Sequence, residues 1–519
     1  MFKNLFRKDT SPKRSPLTVD IQLQNFGIVV HPGDTPDASA SSNENTMVSG
    51  VATLSSDPSI IIRSIRVAFM IEYRHRRPGM DTWTQGILHE HGETFIHGLS
   101  ETDAIDVCYS EDGGVVRRRI DFGMLIAKDI ATYERLPHAR ISPQIRVSVE
   151  FDYADWPPNA LRALPVAPPV YVDDGTFIPD QHRFVSEIWS GGSVIPKDVP
   201  VVSESSITSG SISPGSAVPH QVQTWIKIFF INANPDPTSG PLNLRIHKRG
   251  VAAGIGTWNA FIWSDSFSVG SYIHSRLDFS DMSPACRIYS VELHIVQTYS
   301  AVPIEEYKIG VYDPEEYLYP SDTVALHKAG EKPSTNRPGK DTPTLWQGSR
   351  SEISEGAAAG LPLRDGERYT WETEKIRLPV AAHIRPSTCD GTKSPIHIKH
   401  KFVVKVYFSV TGETLDGRPI DDEPGTGELR LLIVNLPQHL PACVCVSEWV
   451  TLPGYDESNK AESAPNVPLC ACCYATEQFP SSTFDEAFPA EQLEERATDV
   501  VSPTDLKSPV NPIGGGRTL

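Results

Sequence analysis

Apolar and polar residues alternate strictly along most hydrophobic stretches of this chain, and a period of two dictates extended strands with one face on a core and the other in water. Leu17, Val19, Ile21 and Leu23 alternate with Thr18, Asp20, Gln22 and Gln24. The same pattern recurs in Ile65, Val67, Phe69 and Ile71, and in Ile145, Val147, Val149 and Phe151. Further rows are Tyr289, Val291, Leu293 and Ile295; Phe402, Val404, Val406 and Phe408; and Leu429, Leu431 and Ile433. No capped stretch of helical period runs through these regions. The pattern predicts an all-β chain of antiparallel, immunoglobulin-like sandwiches, two in tandem, each sheet with one wet face.

A length of 519 residues accommodates such a pair, and 44 prolines against 36 glycines mark where the strands stop. The clearest composition shift, Asp198 to His220, is rich in Ser, Pro and Gly and separates two blocks of strands. The expected organisation is a basic N-terminal tail over 1–16 and a first sandwich over 17–153. A Pro/Ser-rich interdomain segment over 154–222 leads to a second sandwich over 223–455. Long polar insertions are expected to loop out of the sandwiches at His31 to Thr46, Pro320 to Gly360 and Gly412 to Gly427. An acidic tail follows over 456–519, where 11 acidic and 4 basic residues leave a net charge of −7 and no apolar alternation, so disorder is expected.

The whole chain carries 47 basic and 65 acidic residues, a net charge of −18, which excludes the basic footprint of a nucleic-acid binder. The longest apolar run, Ile60 to Ile71, is broken by Arg63 and Arg66 and is too short to span a bilayer. Met1 to Pro16 lacks a signal-peptide core, and 8 cysteines are too few for a disulfide scaffold, so a reducing, cytoplasmic setting is expected. Phe2, Leu5 and Phe6 among Lys3, Arg7 and Lys8 fit a weak contact with an anionic membrane surface.

Signatures of enzymes are missing: there is no G-x-S-x-G elbow, P-loop, H-E-x-x-H or dinucleotide fingerprint. His89, Glu90 and His91 place two imidazoles on one strand face, but no further ligand is placed by the sequence. Cys443, Cys445, Cys470, Cys472 and Cys473 do not have the C-x₂₋₄-C spacing of structural zinc, and the expectation is no metal and no cofactor.

Linear motifs carry more information. Pro168, Pro169, Val170 and Tyr171 form a P-P-x-Y sequence. Consecutive prolines pre-set polyproline II geometry, so an aromatic WW groove receives Pro168 and Pro169 at low entropic cost while Tyr171 fills a neighbouring pocket. The competing reading is a proline-rich crossover with Tyr171 packed locally. Pro453 and Tyr455 form a weaker second motif that lacks the first proline. In the tail, Phe484, Phe488, Leu493 and Arg496 lie among acidic residues, a composition suited to a short helix docking one apolar face, although Pro489 interrupts it and a solvated tail is expected. Ser11, Ser15, Ser213, Ser502 and Ser508 each precede proline in expected loops or tails, where phosphate would alter local charge.

The order of these strand patterns resembles that of the fungal arrestin-like proteins of the two-domain α-arrestin type. Val48 to Leu54 followed by Ile62 to Val67 is similar to early N-domain strands, and Ala131 to Arg135 with Arg140-Ile141 and Ile145 to Phe151 to its end. Ile231 to Pro237 and Ile288 to Tyr299 resemble early C-domain strands. His383 to Thr388, Ile398 to Val406 and Glu428 to Leu431 resemble later ones. The likeness runs from Leu17 to Tyr455, with Leu452-Pro453-Gly454-Tyr455 standing where many members carry a proline-tyrosine motif.

The resemblance implies an adaptor without enzymatic activity that links membrane-protein cargo to a WW-domain HECT ubiquitin ligase for ubiquitylation and endocytosis. Such a protein is cytoplasmic and peripherally recruited to the plasma membrane or endosomes. The complete motif stands between the domains here, whereas the family carries it in the tail. Were the adaptor itself ubiquitylated within its first sandwich, Lys128 is the only lysine between Leu17 and Tyr153. The alternative is an arrestin-fold scaffold in vesicle sorting or signalling that recruits no ligase.

Overall fold

The structure is a computed structural model that describes residues 17–24, 27–32, 46–77, 80–96, 105–109, 115–153, 170–171, 221–236, 242–350, 366–380, 383–420, 427–443, 482–489 and 506–507. These residues form an all-β protein of several sheets whose long pairings are antiparallel and which include a short parallel pair at an edge. The chain divides into two units. The first comprises Met1–Asn232, Gly391–Lys393 and Ser447–Val467, and the second Ala233–Asp390, Ser394–Val446 and Pro468–Leu519.

The first unit contains β1 (Leu17–Leu23), β2 (Gly27–Val30), β3 (Thr46–Ser56), β4 (Ile60–His75), β5 (Thr84–Ile96) and β6 (Ile105–Tyr109). It continues with β7 (Val116–Ile126), β8 (Glu134–Arg135), β9 (Ala139–Tyr153), β10 (Val170–Tyr171), β11 (Gln221–Ile228) and β12 (Phe230–Ala233). One sheet runs β1-β3-β7-β6 and another β10-β11-β9-β4-β5, with β8 on β9, while β2 pairs β12. Alternation places Leu17, Val19 and Ile21 of β1 in the interior, and Ile145, Val147 and Val149 of β9 are fully buried.

The second unit contains β13 (Leu244–Ala252), β14 (Gly256–Ser264), β15 (Tyr272–Met282), β16 (Cys286–Ala301), β17 (Asp322–Gly330) and β18 (Trp346–Gln347). Next come β19 (Glu367–Glu372), β20 (Ile376–Arg377), β21 (Ile396–Val410), β22 (Arg430–Gln438) and β23 (Leu506–Lys507). Sheet β13-β14-β15-β19 carries β20 on β15, and sheet β17-β16-β21-β22-β23 carries β18 on β16. Their facing rows share one core: Trp258, Ala260 and Ile262 from the first meet Val291, Leu293, Phe402, Val404, Val406 and Val434 from the second.

Several expectations are corrected. The second unit does not begin at 223, because β11 runs along β9 with Trp225 opposite Val147, and the Ser148 and Thr224 hydroxyls meet at 3.0 Å. The stretch from Ile231, expected as an early strand of the second block, lies in β12 against β2, and the Tyr133 amide donates to the Ile231 carbonyl at 2.9 Å. Pro320 to Gly360 is not all loop: β17 and β18 lie within it and pair with β16, where Val324 and Leu326 pack on the core. His383 to Thr388 forms no strand. Buried Ile384 and backbone bonds from Ser387 to Leu440 (2.7 Å) and Thr388 to Ile398 (3.1 Å) hold it instead.

Two rows read as core strands lie differently. Leu429, Leu431 and Ile433 face away from the main core and form an outer cluster with Tyr289 and Tyr407, whereas Leu432, Val434 and Leu436 face inward. Tyr289 leaves the row of Val291, Leu293 and Ile295 because the register against β21 shifts between Ile288 and Ser290. An extra residue at that bulge reverses which parity faces the core. Finally, the acidic tail is not wholly without structure. Phe484–Ala487 is a helical turn, and Leu506–Lys507 adds to the edge of β22.

Candidate functional site

Sequence assigned recognition to short motifs, and their placement is uneven. Pro168, Pro169, Pro453 and Tyr455 lie outside the described residues, as do Ser11, Ser15, Ser213, Ser502 and Ser508. Val170 and Tyr171 form β10, parallel to β11, with Val170 opposite Trp225 and Tyr171 opposite Ile226. The last two residues of the P-P-x-Y motif are thus engaged through their backbone at a sheet edge. Lys128 is half-buried in the turn that follows β7.

The metal lookalike does not converge on a cation. Glu90 of β5 pairs with Arg66 at 2.6 Å, and the His89 ring packs 5.5 Å from that of Phe69. Burial, reinforced by His91, lowers the His89 pKa. Among the described residues, no group of three or more His, Cys, Asp or Glu side chains is arranged to hold a metal ion.

One serine-histidine contact has the distance of a nucleophile and its base: Ser387 Oγ lies 2.8 Å from His400 Nδ1, and Gln297 Oε1 lies 3.3 Å from Nε2. Burial, with the nearby His439, pushes the His400 pKa down to about 3. A base that weak holds no proton near neutrality, and the amide of Gln297 supplies no charge to stabilise an imidazolium. The Ser387 hydroxyl instead accepts the Leu440 amide at 2.8 Å, tying its segment to the strand ends.

The best-built candidate site is on the outer face of β14. Phe261 and Trp263 point opposite to the core residues Ala260 and Ile262, yet they are only 3% and 2% exposed. Residues 482–489 of the tail cover them. Phe484, Ala487 and Phe488 form a separate apolar cluster with Phe261 and Trp263. Ring centroids of Phe484 and Phe488 both lie 5.0 Å from that of Phe261, edge to face.

Neighbouring strands complete the groove. His247 of β13 stacks on Phe261 at 4.5 Å, His274 of β15 stacks on Trp263 at 5.0 Å, and the Arg276 guanidinium sits 4.0 Å from the Phe484 ring centroid. Polar contacts fix the entry of the segment. The Trp263 indole N–H donates to the Ser482 carbonyl at 3.0 Å, and the Ser482 hydroxyl meets both Asp265 carboxylate oxygens at 2.8 Å. The Ser482 amide donates to the same carboxylate, which Arg245 pairs at 2.5 Å.

Thr483 and Glu486 form a capping box, with the Thr483 amide donating to Glu486 at 2.7 Å. Burial raises the Asp265 pKa, but the hydrogen bonds from Arg245 and Ser482 outweigh it and hold the carboxyl below its ordinary range. Pro489 does not prevent docking, because the helical turn ends before it. The groove itself was missed at the sequence level. Its signal is the run Phe261-Ile262-Trp263, apolar on both faces of one strand.

No protein-family model matches the chain, and no curated protein matches it.

Proposed function

We propose that this protein is an arrestin-like, cytoplasmic adaptor, peripherally recruited to the plasma membrane or endosomes, that links membrane-protein cargo to a WW-domain ubiquitin ligase through Pro168, Pro169 and Tyr171. The observation that carries the reading is the position of the motif's end. Val170–Tyr171 adds only two residues to the edge of β11, so a competing groove has little ladder to displace. A ladder of two residues is worth on the order of 1–3 kcal/mol, a cost that a WW complex can offset.

Titration of a ligase WW domain tests this directly. A peptide spanning 164–176 is expected to bind, the full chain to bind roughly 5- to 100-fold more weakly because β10 must first detach, and Tyr171→Ala to abolish both. Equal binding of the Tyr171→Ala peptide removes the motif from the reading.

The same pairing favours a second reading, in which Tyr171 closes the sheet and the protein is a sorting or signalling scaffold that recruits no ligase. That version expects cargo sorting to survive the double substitution Pro169→Ala and Tyr171→Ala, whereas the adaptor reading expects cargo to stay at the cell surface.

A further inference from the structure

The tail contact on β14 has a lock at Ser482. Its hydroxyl has one proton, and the acceptors facing it are the two oxygens of Asp265, each at 2.8 Å. The Arg245 guanidinium that neutralises Asp265 lies 3.3 Å from the same hydroxyl oxygen. Ser482 is half-buried and is followed by Asp485 and Glu486. The Glu486 carboxylate is near enough to Asp265 to feel its charge.

We infer that Ser482 is a phosphorylation site that opens this groove: phosphate on its oxygen expels residues 482–489 and leaves the Phe261/Trp263 face free for a partner segment of the same chemistry, acidic and with two phenylalanines four residues apart. The reaction is transfer of the γ-phosphoryl group from a nucleoside triphosphate by a protein kinase. The Ser482 Oγ–P bond forms, the bond between the γ-phosphorus and the bridging oxygen breaks, the nucleoside diphosphate leaves, and the hydroxyl proton passes to the kinase's base.

The consequence follows from hydrogen-bond and charge accounting. An esterified oxygen has no proton to give, so two short contacts with Asp265 become oxygen against oxygen with nothing between them. The added dianion faces a carboxylate whose single counter-charge, Arg245, is already shared. The kinase meets Ser482 when the segment is transiently undocked, and the phosphate then favours that state because the docked one sets it against the Asp265 carboxylate. None of this depends on whether Tyr171 recruits a ligase.

The test uses the full chain with phosphoserine installed at 482 by codon reassignment, compared with the unmodified chain by hydrogen exchange. In the unmodified chain, the Ala487 and Phe488 amides donate to Thr483 and Phe484 at 3.0 and 2.8 Å. Phosphorylation should raise their exchange at least about tenfold while exchange in β21 stays constant. In a chain that also carries Asp265→Asn, the repulsion is gone, and the phosphate should raise exchange less than about threefold. A labelled peptide of residues 479–491 should bind the Phe484→Ala/Phe488→Ala chain, whose groove is vacated, and bind about tenfold more weakly when phosphorylated. Unchanged protection in the phosphorylated chain, or equal loosening with and without the Asp265→Asn substitution, overturns the proposal, as does equal binding of the two peptides.

Discussion

His400 sits in an environment far from water in its chemistry. It is 6% exposed and neutral, with a pKa pushed down to about 3 by burial and by His439, whereas an unfolded histidine titrates near 6.5. Between those values the unfolded chain holds a proton that the folded chain lacks, so this residue's contribution to stability falls as pH drops from 6.5 toward 3, by about 1.4 kcal/mol per pH unit. Urea midpoints measured across that range should show the slope, and His400→Gln should flatten it. Arg430 is the corresponding charged case. It is fully buried, with Nη2 bonded to Glu413 at 2.8 Å and to the Thr414 carbonyl at 2.5 Å. Arg430→Ala empties its site and leaves those acceptors without their donor. The expected loss is about 3 kcal/mol, read as a lower denaturation midpoint.

Among the elements, β16 allows a sharp test of register. Its bulge inserts a residue beside Ser290, and the pairing runs Ile288 to Phe408 on one side and Ser290 to Tyr407 on the other. Deleting Ser290 brings Tyr289 opposite Tyr407 and leaves Val291 facing the core, so the fold should survive with a loss of about 1 kcal/mol for the Ser290 hydroxyl bond to Ala329. Deleting Lys405 from the regular strand β21 turns either Phe402 and Val404 or Val406 and Phe408 out of the core, and no folded second unit should be recovered. Comparing the near-ultraviolet circular dichroism of the two deletions decides the matter. This bulge also marks where sequence stopped being informative. Strict alternation in β1 was legible because one face is wet, and the inward rows of β4, β9 and β21 because each repeats at a period of two, but the parity change at Tyr289 depends on a pairing partner more than a hundred residues away. Phe261 and Trp263 displayed a two-sided apolar strand, but nothing local named what covers its outer face. β11 was assigned to the wrong block because a strand's periodicity does not identify its neighbour. In the tail, Phe484 and Phe488 stood out as suited to docking, but the acidic composition and Pro489 favoured a solvated tail, and nothing local identified the pair of aromatic rings they cover.

For the whole molecule, the division into two compact units predicts separate melting. Each unit has its own buried residues, so calorimetry should resolve two transitions. Acid should move one of them further. Among the described residues, burial depresses the pKa of His89 and His138 in the first unit and of His274, His397, His400 and His439 in the second, with His400 pushed furthest, to about 3. The second unit's transition should therefore fall more steeply between neutrality and pH 4, and assigning each transition by hydrogen exchange checks the order. The contact between Trp263 and Ser482 has a last effect, on synthesis. The two residues are 219 positions apart, which at ribosomal speeds of about 5–20 residues per second is a delay on the order of 10–40 s. Throughout that interval the nascent chain carries Phe261 and Trp263 without their cover. A ribosome stalled before residue 482 therefore presents an adhesive aromatic face to chaperones, and a truncated product keeps it permanently.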